Sequence, residues 1–490
     1  MPDNGRIQLL SNSASIDQKF FAGPWLGCVV ILLGFLAVTS TSLQMIRFGG
    51  VGSESVMAIA ALAVGVLASL VVWLLRHTIV DFLSWACQRL GSVPLWVIAV
   101  TGLALRLIWI ALFPADPGSD GQIYLMLGER LQSGGSYEIA GTRAYWPVGY
   151  PLFLSGFLAL FESNNVAYLV SNLALYFIGF TGTYHLGQCI AGTISGKFAA
   201  TLFALWPNLV FSSGTPEKEM LVLALLPWTA SFILLSISQR SGHWQALIAG
   251  ITLGAAILVQ PSLQFLPFVC GIFLMVMIRP LRSGMSAGIL LCLGAALVVS
   301  PWTWRNYQLF DRFVLVSTNG GDNFYRANNP MATGGYTLRG EVELSGLREI
   351  EQDKTGKRLA IEWIQQNPMA FAWLAVEKQV RFMGDDAVGV YNTLKVGKAS
   401  SDARIYGLLK VMANVWWLAV WGALCAFSLV AAKRLVALPR LAMSPIWFWL
   451  YLFVIHSVFE SAGKYHVPML WVLCVMIGAM ATSMGDRTAS

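Results

Sequence analysis

Carboxylates and cations gather at a few points in this sequence, and their types suit proton transfer beside a bound anion. Asp120 lies in the stretch PADPGSDGQIYLMLGERL, where Ile123, Leu127, Arg130 and Leu131 keep helical spacing after the turn signal Asp116-Pro117-Gly118. Its plain role is to start that helix. Its chemical role would be that of a general base. Glu219 follows Thr215-Pro216-Glu217-Lys218, a pattern that equally fits a helix start and its dipole. Cations stand in similar places: Arg305 in Pro301-Trp302-Thr303-Trp304-Arg305-Asn306, Arg143 just before Tyr145-Trp146-Pro147, Lys218 beside Glu219, and Lys464 close to His466. Singly each serves as an interface anchor among aromatic residues. Together they suit a phosphate leaving group, which needs positive charge more than a proton donor. Arg106, inside an apolar run, reads either as a snorkelling side chain or as a cation facing a bundle interior. Tyr124, Tyr145, Trp146, Tyr150 and His466 complete the set of candidate cavity residues.

The elements that must position these residues follow from composition. The chain has 490 residues, 56% hydrophobic and only 12% charged, with mean hydropathy +0.64. A chain this apolar needs lipid to cover it. The net charge of +7 sits mainly between apolar runs, so it reads as membrane topology and excludes nucleic acid as the expected partner. Apolar runs long enough to span are expected at 24–45, 56–75, 93–113, 165–188, 194–213, 219–238, 244–260, 262–278, 285–301, 407–431, 444–460 and 465–483. The short run Gly149–Phe161 decides the side of everything after it. Laid on the membrane surface, it puts Arg76, Arg89, Lys197, Arg240, Arg279, Arg282, Lys433, Arg434 and Arg440 on the cytoplasmic side. The expectation is therefore an all-α polytopic protein of about twelve spans, with both ends inside. Two long outer loops result, about 114–164 and 302–406, carrying amphipathic helices near Lys357–Gln366 and Pro368–Met383. No cysteine falls in either loop, and no His/Cys cluster suggests a metal.

The order of these features resembles the GT-C glycosyltransferases, specifically the bacterial group related to protein O-mannosyltransferases and lipid A aminoarabinose transferases. The residues that carry the likeness are Arg106 and then Ser119-Asp120-Gly121-Gln122-Ile123-Tyr124; Tyr145-Trp146-Pro147-Val148-Gly149-Tyr150-Pro151-Leu152; Glu219; and Pro301 to Asn306 with Ser317-Thr318-Asn319-Gly320-Gly321 and Asn328-Asn329-Pro330. It covers roughly 93–480, dividing the chain into an extra two-span segment (1–92), a transmembrane core (93–301), a second outer loop (302–406) and C-terminal spans (407–490). The resemblance implies that Asp120 is the catalytic acid of the first loop, that Glu219 is a second cavity acid and that Arg305 helps hold the donor phosphate. Arg143, Lys218 and Lys464 are further candidates for that contact. The expected activity is inverting transfer of a sugar from a polyprenyl-phosphate donor to a lipid, glycan or protein acceptor at the outer, periplasmic face of the inner membrane. No nucleotide sugar or other cofactor is required, and a divalent cation stays open. The alternatives are a flippase or transporter of lipid-linked glycans, and an oligosaccharide ligase using diphosphate donors.

Overall fold

The computed structural model describes residues 25–49, 53–238, 242–337, 340, 342–434 and 441–485. Arg240 and Arg440 of the topology argument lie outside the described residues. Eighteen α-helices follow one another, with no strand ladder among the described residues beyond one isolated bridge, Ile139 with Thr142. They are α1 (Trp25–Gly49), α2 (Glu54–Gly91), α3 (Leu95–Leu112), α4 (Ser119–Gln132), α5 (Gly149–Leu158), α6 (Asn164–Leu205), α7 (Pro207–Phe211), α8 (Lys218–Ser238) and α9 (His243–Val259). Then come α10 (Leu266–Met277), α11 (Leu281–Phe310), α12 (Gly320–Ala327), α13 (Glu349–Gln366), α14 (Pro368–Met383), α15 (Val388–Tyr391), α16 (Ala403–Arg434), α17 (Ile446–Val458) and α18 (Leu470–Gly485).

Eight of the described helical segments are long and apolar enough to cross a membrane. The expected spans 165–188 and 194–213 are the two arms of one kinked element, α6. The break lies at Ala191-Gly192, where Gly192 has φ +88°. That left-handed conformation favours glycine, and it folds the arms back so that Gly187 and Gly196 meet closely. Spans expected at 244–260, 262–278 and 444–460 fall on α9, α10 and α17, which are shorter apolar helices. α5 has 10 residues, roughly 15 Å of helix at 1.5 Å per residue, half of a bilayer core. It buries Tyr150, Pro151, Leu154 and Leu158 against α4, α6 and α9, which suits a surface-lying helix.

The last helix is the most enclosed. α18 buries nearly all its residues against α6, α2 and α16, and Trp206, Trp417, Trp421, Trp449 and Trp471 are fully buried in the same core. α2 is the opposite: Val56, Ile59, Leu67, Leu74 and Phe82 lie exposed on it, an apolar surface suited to lipid.

Above this bundle the two long loops hold each other. Glu349, at the start of α13, accepts from the backbone N–H groups of Arg143 and Ala144, both at 2.8 Å, and from the Thr318 hydroxyl at 2.5 Å. The Pro301–Asn306 motif anchors the returning chain: the Trp302 indole donates to the Val316 carbonyl (2.8 Å), Thr303 to Leu315 (2.7 Å) and Asn306 to Val314 and Val316. The expected helix 368–383 is found with those bounds, and its partner begins earlier than expected, at Glu349.

Because three donors converge on one carboxylate, Glu349→Ala leaves two backbone N–H groups without their acceptor. Arg143 is exposed and its N–H finds water, whereas Ala144 is buried, and about 1–3 kcal/mol is the usual cost of one buried group so orphaned. The expected result is a lower thermal midpoint and faster proteolysis between residues 133 and 148, with the helical content retained by circular dichroism.

Candidate active site

The N-terminal ends of α4 and α8 and the turn before α18 bring one group of charged side chains together. Asp120 stands in the first turn of α4, and the Lys464 ammonium lies 3.7 Å from its carboxylate. α4 reaches this position by a close approach to the α8 entry. A side chain at Gly121 would put its Cβ 2.8 Å from the Pro216 carbonyl oxygen, so the residue after Asp120 has no room for a second acid. Glu219, in the first turn of α8, is buried. Glu219, Asp120 and Glu460 all act electrostatically on Lys464. Glu460 in turn accepts the Tyr465 hydroxyl at 2.5 Å.

Glu217 belongs to the same group. Its Oε1 accepts from the Asn392 side-chain amide at 2.6 Å and from the Thr215 hydroxyl at 3.1 Å. Burial, then the charge of Glu219, pushes its carboxyl up to about 8, against the pull of Lys464. Asn392 opens a π-helical turn, Asn392–Val396, a device common at functional sites. This turn is fixed to the bundle by Thr393 on the Phe211 carbonyl (2.9 Å) and by the Asp116 N–H on the Gly397 carbonyl (3.0 Å).

Aromatic rings pack beside this charged group. Tyr124 meets Trp146 and Tyr150 edge-on, at 5.8 and 5.5 Å, and Trp146 meets Tyr145 at 5.5 Å. The Tyr124 hydroxyl is buried with no hydrogen-bond partner among the described residues. Burial first, then Asp120 and Glu219, holds it well above the usual phenol range. Beyond Tyr145 a second polar cluster begins: its hydroxyl donates to Asp322 at 2.5 Å, and Asp322 pairs with Arg326 at 3.4 Å. Arg326 lies over the Tyr336 ring at 4.9 Å. Burial pulls its guanidinium down, but Tyr145, Asp322 and Glu460 outweigh that and raise it. Glu460 therefore feels both Lys464 and Arg326 and links the two clusters.

Several residues singled out from the sequence stand elsewhere. Arg305 gives its donors to the Arg143 carbonyl at 2.8 Å, the Asn306 side-chain oxygen at 3.0 Å and the Tyr137 carbonyl at 3.4 Å, with Trp302 beneath it at 4.5 Å. It fastens the first loop. Arg143 pairs with Glu138 at 3.3 Å. Lys218, at the first position of α8, makes no ion pair among the described residues. Arg106 is buried; it donates to the Gly102 and Ala204 carbonyls, both at 2.9 Å, and lies 3.9 Å from the Tyr176 ring. Ala204 is in the last turn of α6, so Arg106 satisfies an end carbonyl where positive charge is favoured. His466 is fully buried, stacked on Trp417 at 4.6 Å, with Nε2 3.2 Å from Asp386 and Nδ1 on the Phe382 carbonyl. Asp386 also accepts from Trp206 at 2.7 Å and Asn208 at 2.6 Å. This enclosed network ties α7 and α16 to the turn before α18.

Sequence reasoning passed over Glu460, Asp322, Arg326 and Lys378, and treated Glu217 as helix-dipole chemistry. The available signal was i,i+4 spacing, Glu460 to Lys464 and Asp322 to Arg326. Lys378 carried none. It is fully buried on α14, donating to Asn328 at 2.8 Å and to the Val458 carbonyl at 2.9 Å. Among the described residues no group of three or more His, Cys, Asp or Glu has metal-ligand geometry.

No family model and no curated protein matches the sequence. Solved structures do resemble its backbone. The oligosaccharyltransferase of Archaeoglobus fulgidus in complex with Zn and sulfate is similar at TM-score 0.49 and 15% identity, over 81% of this chain and 49% of that one. The archaeal oligosaccharyltransferase AglB from the same organism, with an inhibitory peptide and a dolichol-phosphate, is similar at TM-score 0.39 and 12% identity, over 79% and 50%. ArnT from Cupriavidus metallidurans bound to undecaprenyl phosphate is similar at TM-score 0.40 and 12% identity, over 80% and 77%. The chain spans about half the length of the oligosaccharyltransferase structures it matches.

Burial holds the Lys378 amine down to about 7, against roughly 10.4 in an unfolded chain. Between those values the unfolded state binds more protons than the folded one, so stability rises with pH across that window. The wild-type thermal midpoint is expected to climb from pH 7 to pH 9.5 relative to Lys378→Met, which lacks the titrating amine. Parallel pH curves for the two proteins would refute it.

Proposed function

We propose that the chain is a GT-C-type membrane glycosyltransferase moving a sugar from a polyprenyl-phosphate donor to an acceptor hydroxyl. The observation that carries this reading is Lys464 at 3.7 Å from Asp120, a cation set against a carboxylate at the rim of a helical membrane bundle. The acceptor is a lipid, a glycan or a protein. Twelve crossings, both ends in the cytoplasm and a bowl open to the periplasmic side of the inner membrane complete the proposal. Membrane lipids are then both the solvent and the source of the donor.

In this reaction Asp120 takes the proton of the acceptor hydroxyl. The freed oxygen attacks the anomeric carbon from the side opposite the phosphate, so the configuration inverts. Lys464 steadies the departing phosphate, with Arg326 beyond Glu460 as the second positive charge. Asp120 suits the task because it is partly open to solvent, where an acceptor can reach it. Arg305 contributes by shape: its hold on the Arg143 and Tyr137 carbonyls keeps Tyr145 and Trp146 in place as the wall on which a sugar ring can stack.

The test offers the purified full-length protein a panel of undecaprenyl-phosphate hexoses and pentoses with labelled sugars, together with membrane-extracted acceptors. Release of undecaprenyl phosphate with a labelled product is expected. Binding without turnover across the panel would favour the transporter reading and overturn this one. Asp120→Asn is expected to keep expression and fold while losing about 10²–10⁴-fold in turnover, the usual contribution of a general base. Lys464→Gln should lower kcat by about 10²–10³, as when one charge-stabilising donor is removed. Cysteines placed at 120 and 464 must both react with a membrane-impermeant thiol reagent from the same side.

A further inference from the structure

Lys464 is the cation on which the proposed reaction relies, yet its own bonds do not fix it. Its ammonium makes no hydrogen bond among the described residues, and its contact with the Asp120 carboxylate is 3.7 Å long. A lysine carries its charge on a flexible four-carbon stem, so the ammonium goes where the backbone beneath it goes. That backbone is one 3₁₀ turn, Gly463–Tyr465, too short to hold its place by a ladder of its own. Something outside the turn must seat it.

The residues on either side of Lys464 rest on two successive acids of the second long loop. Gly463 lies against Asp385 so closely that a Cβ built on it would overlap the Asp385 carbonyl oxygen. His466 lies against Asp386, with Nε2 3.2 Å from the carboxylate. Asp385 and Asp386 form the break between α14 and α15, and other helices tie that break down. The Asp385 carboxylate accepts from Lys410 at 2.5 Å and from Asn414 at 3.0 Å, both on α16. The Asp386 N–H donates to Asn414 at 3.1 Å, and its carboxylate accepts from Trp206 and Asn208 at the start of α7. The last carbonyls of α14 lack partners within their own helix. His466 Nδ1 donates to that of Phe382, and the Trp417 indole donates to that of Met383 at 3.0 Å. The His466 ring then stacks on the same indole, 4.6 Å away and 8° from parallel. The imidazole is therefore held at both nitrogens and on one face.

We propose that Asp386 and His466 are positioning residues, seating the Gly463–Tyr465 turn so that Lys464 stands at Asp120. This deepens the glycosyltransferase reading and rests on it for the role of Lys464. Neither residue touches substrate, and no bond forms or breaks on them. Reacting groups need placement to within about 0.5 Å, and an error near 1 Å can cost on the order of 10²-fold in rate. A shift of the break after α14 passes to Lys464 from both sides, through Gly463 and through His466. The second long loop thereby governs the reaction without contributing a reacting group.

Two variants of the full-length protein test this. His466→Phe keeps a ring on Trp417 and loses both nitrogen contacts. Gly463→Ala leaves Asp386 and His466 intact and pushes the turn off the Asp385 carbonyl, so it decides the matter by a second route where His466→Phe does not fold. With an undecaprenyl-phosphate sugar as donor, each is expected to lower kcat by about 10–10²-fold while KM stays within about twofold. Each should add less than about threefold to the loss already caused by Lys464→Gln, because both changes act on one group. A second measurement needs no turnover. The yield of cross-link between Asp120→Cys and Lys464→Cys, formed with a short bifunctional maleimide, is expected to drop when either variant is added. Losses that multiply with that of Lys464→Gln, or an unchanged cross-link yield, overturn the positioning role and leave the glycosyltransferase reading standing. Absence of turnover in the wild type overturns that reading, and the cross-link yield then decides by itself whether the seat holds Lys464 at Asp120.

Discussion

One lysine among carboxylates organises the charged end of this helical bundle. Lys464 sits in a short turn between α17 and α18 that also holds Glu460, and Asp120 and Glu219 converge on it from two other places in the chain. Each of those acids would be costly to hold near the others, at a rim where water is partly excluded, without the ammonium between them. The arrangement therefore depends on the first outer loop, the entry of α8 and the turn before α18 arriving together. Glu349 and Arg305 secure that meeting from outside, since their bonds to backbone at residues 137–144 and to Thr318 hold the wall that faces the lysine. Charge at the centre and hydrogen bonds at the periphery thus form a single device.

Much of the fold was legible because the bilayer imposes a length. Apolar runs of about 20 residues separated by basic connections lead directly to a helical bundle, and Asn367-Pro368 marked a helix boundary that α14 keeps. The misjudged elements have local causes. α6 is not one of them: its two arms, reversed at Gly192, correspond to the two expected spans, although the second arm ends at Leu205. α13 begins before its amphipathic pattern is evident, since its first residue serves the other loop rather than its own helix. Helices such as α10, with 12 residues, fall short of the length on which the argument rests.

The site was legible only in part, and the reason is topological. Asp120 and Glu219 announce themselves as acids at helix starts, and Lys464 as a cation in an outer turn. Nothing in one dimension says that residues 120, 219 and 464 share a space. Arg305 and His466 show the converse. Both stand in motifs that invite a chemical role, yet Arg305 gives its donors to backbone carbonyls and a neighbouring amide, and His466 is sealed between Trp417 and Asp386. A guanidinium or an imidazole can hold a fold together as readily as it can hold a substrate, and only its neighbours distinguish the two. Glu217 hid for another reason: two residues from Glu219, it looks like a duplicate, whereas Asn392, from a segment more than 170 residues away, gives it a separate environment.

The enclosed position of α18 bears on how the molecule is made. A ribosome delivers this helix after every element that surrounds it, so α2, α6 and α16 must enter the bilayer while the slot between them is still vacant or filled by lipid. Closing that slot draws the adjoining turn, and Lys464 with it, into register against acids that were synthesised hundreds of residues earlier. Biogenesis and competence are thereby tied: α2, α6 and α16 can stand in the bilayer first, but the charged rim acquires its counter-ion only when α18 enters its slot.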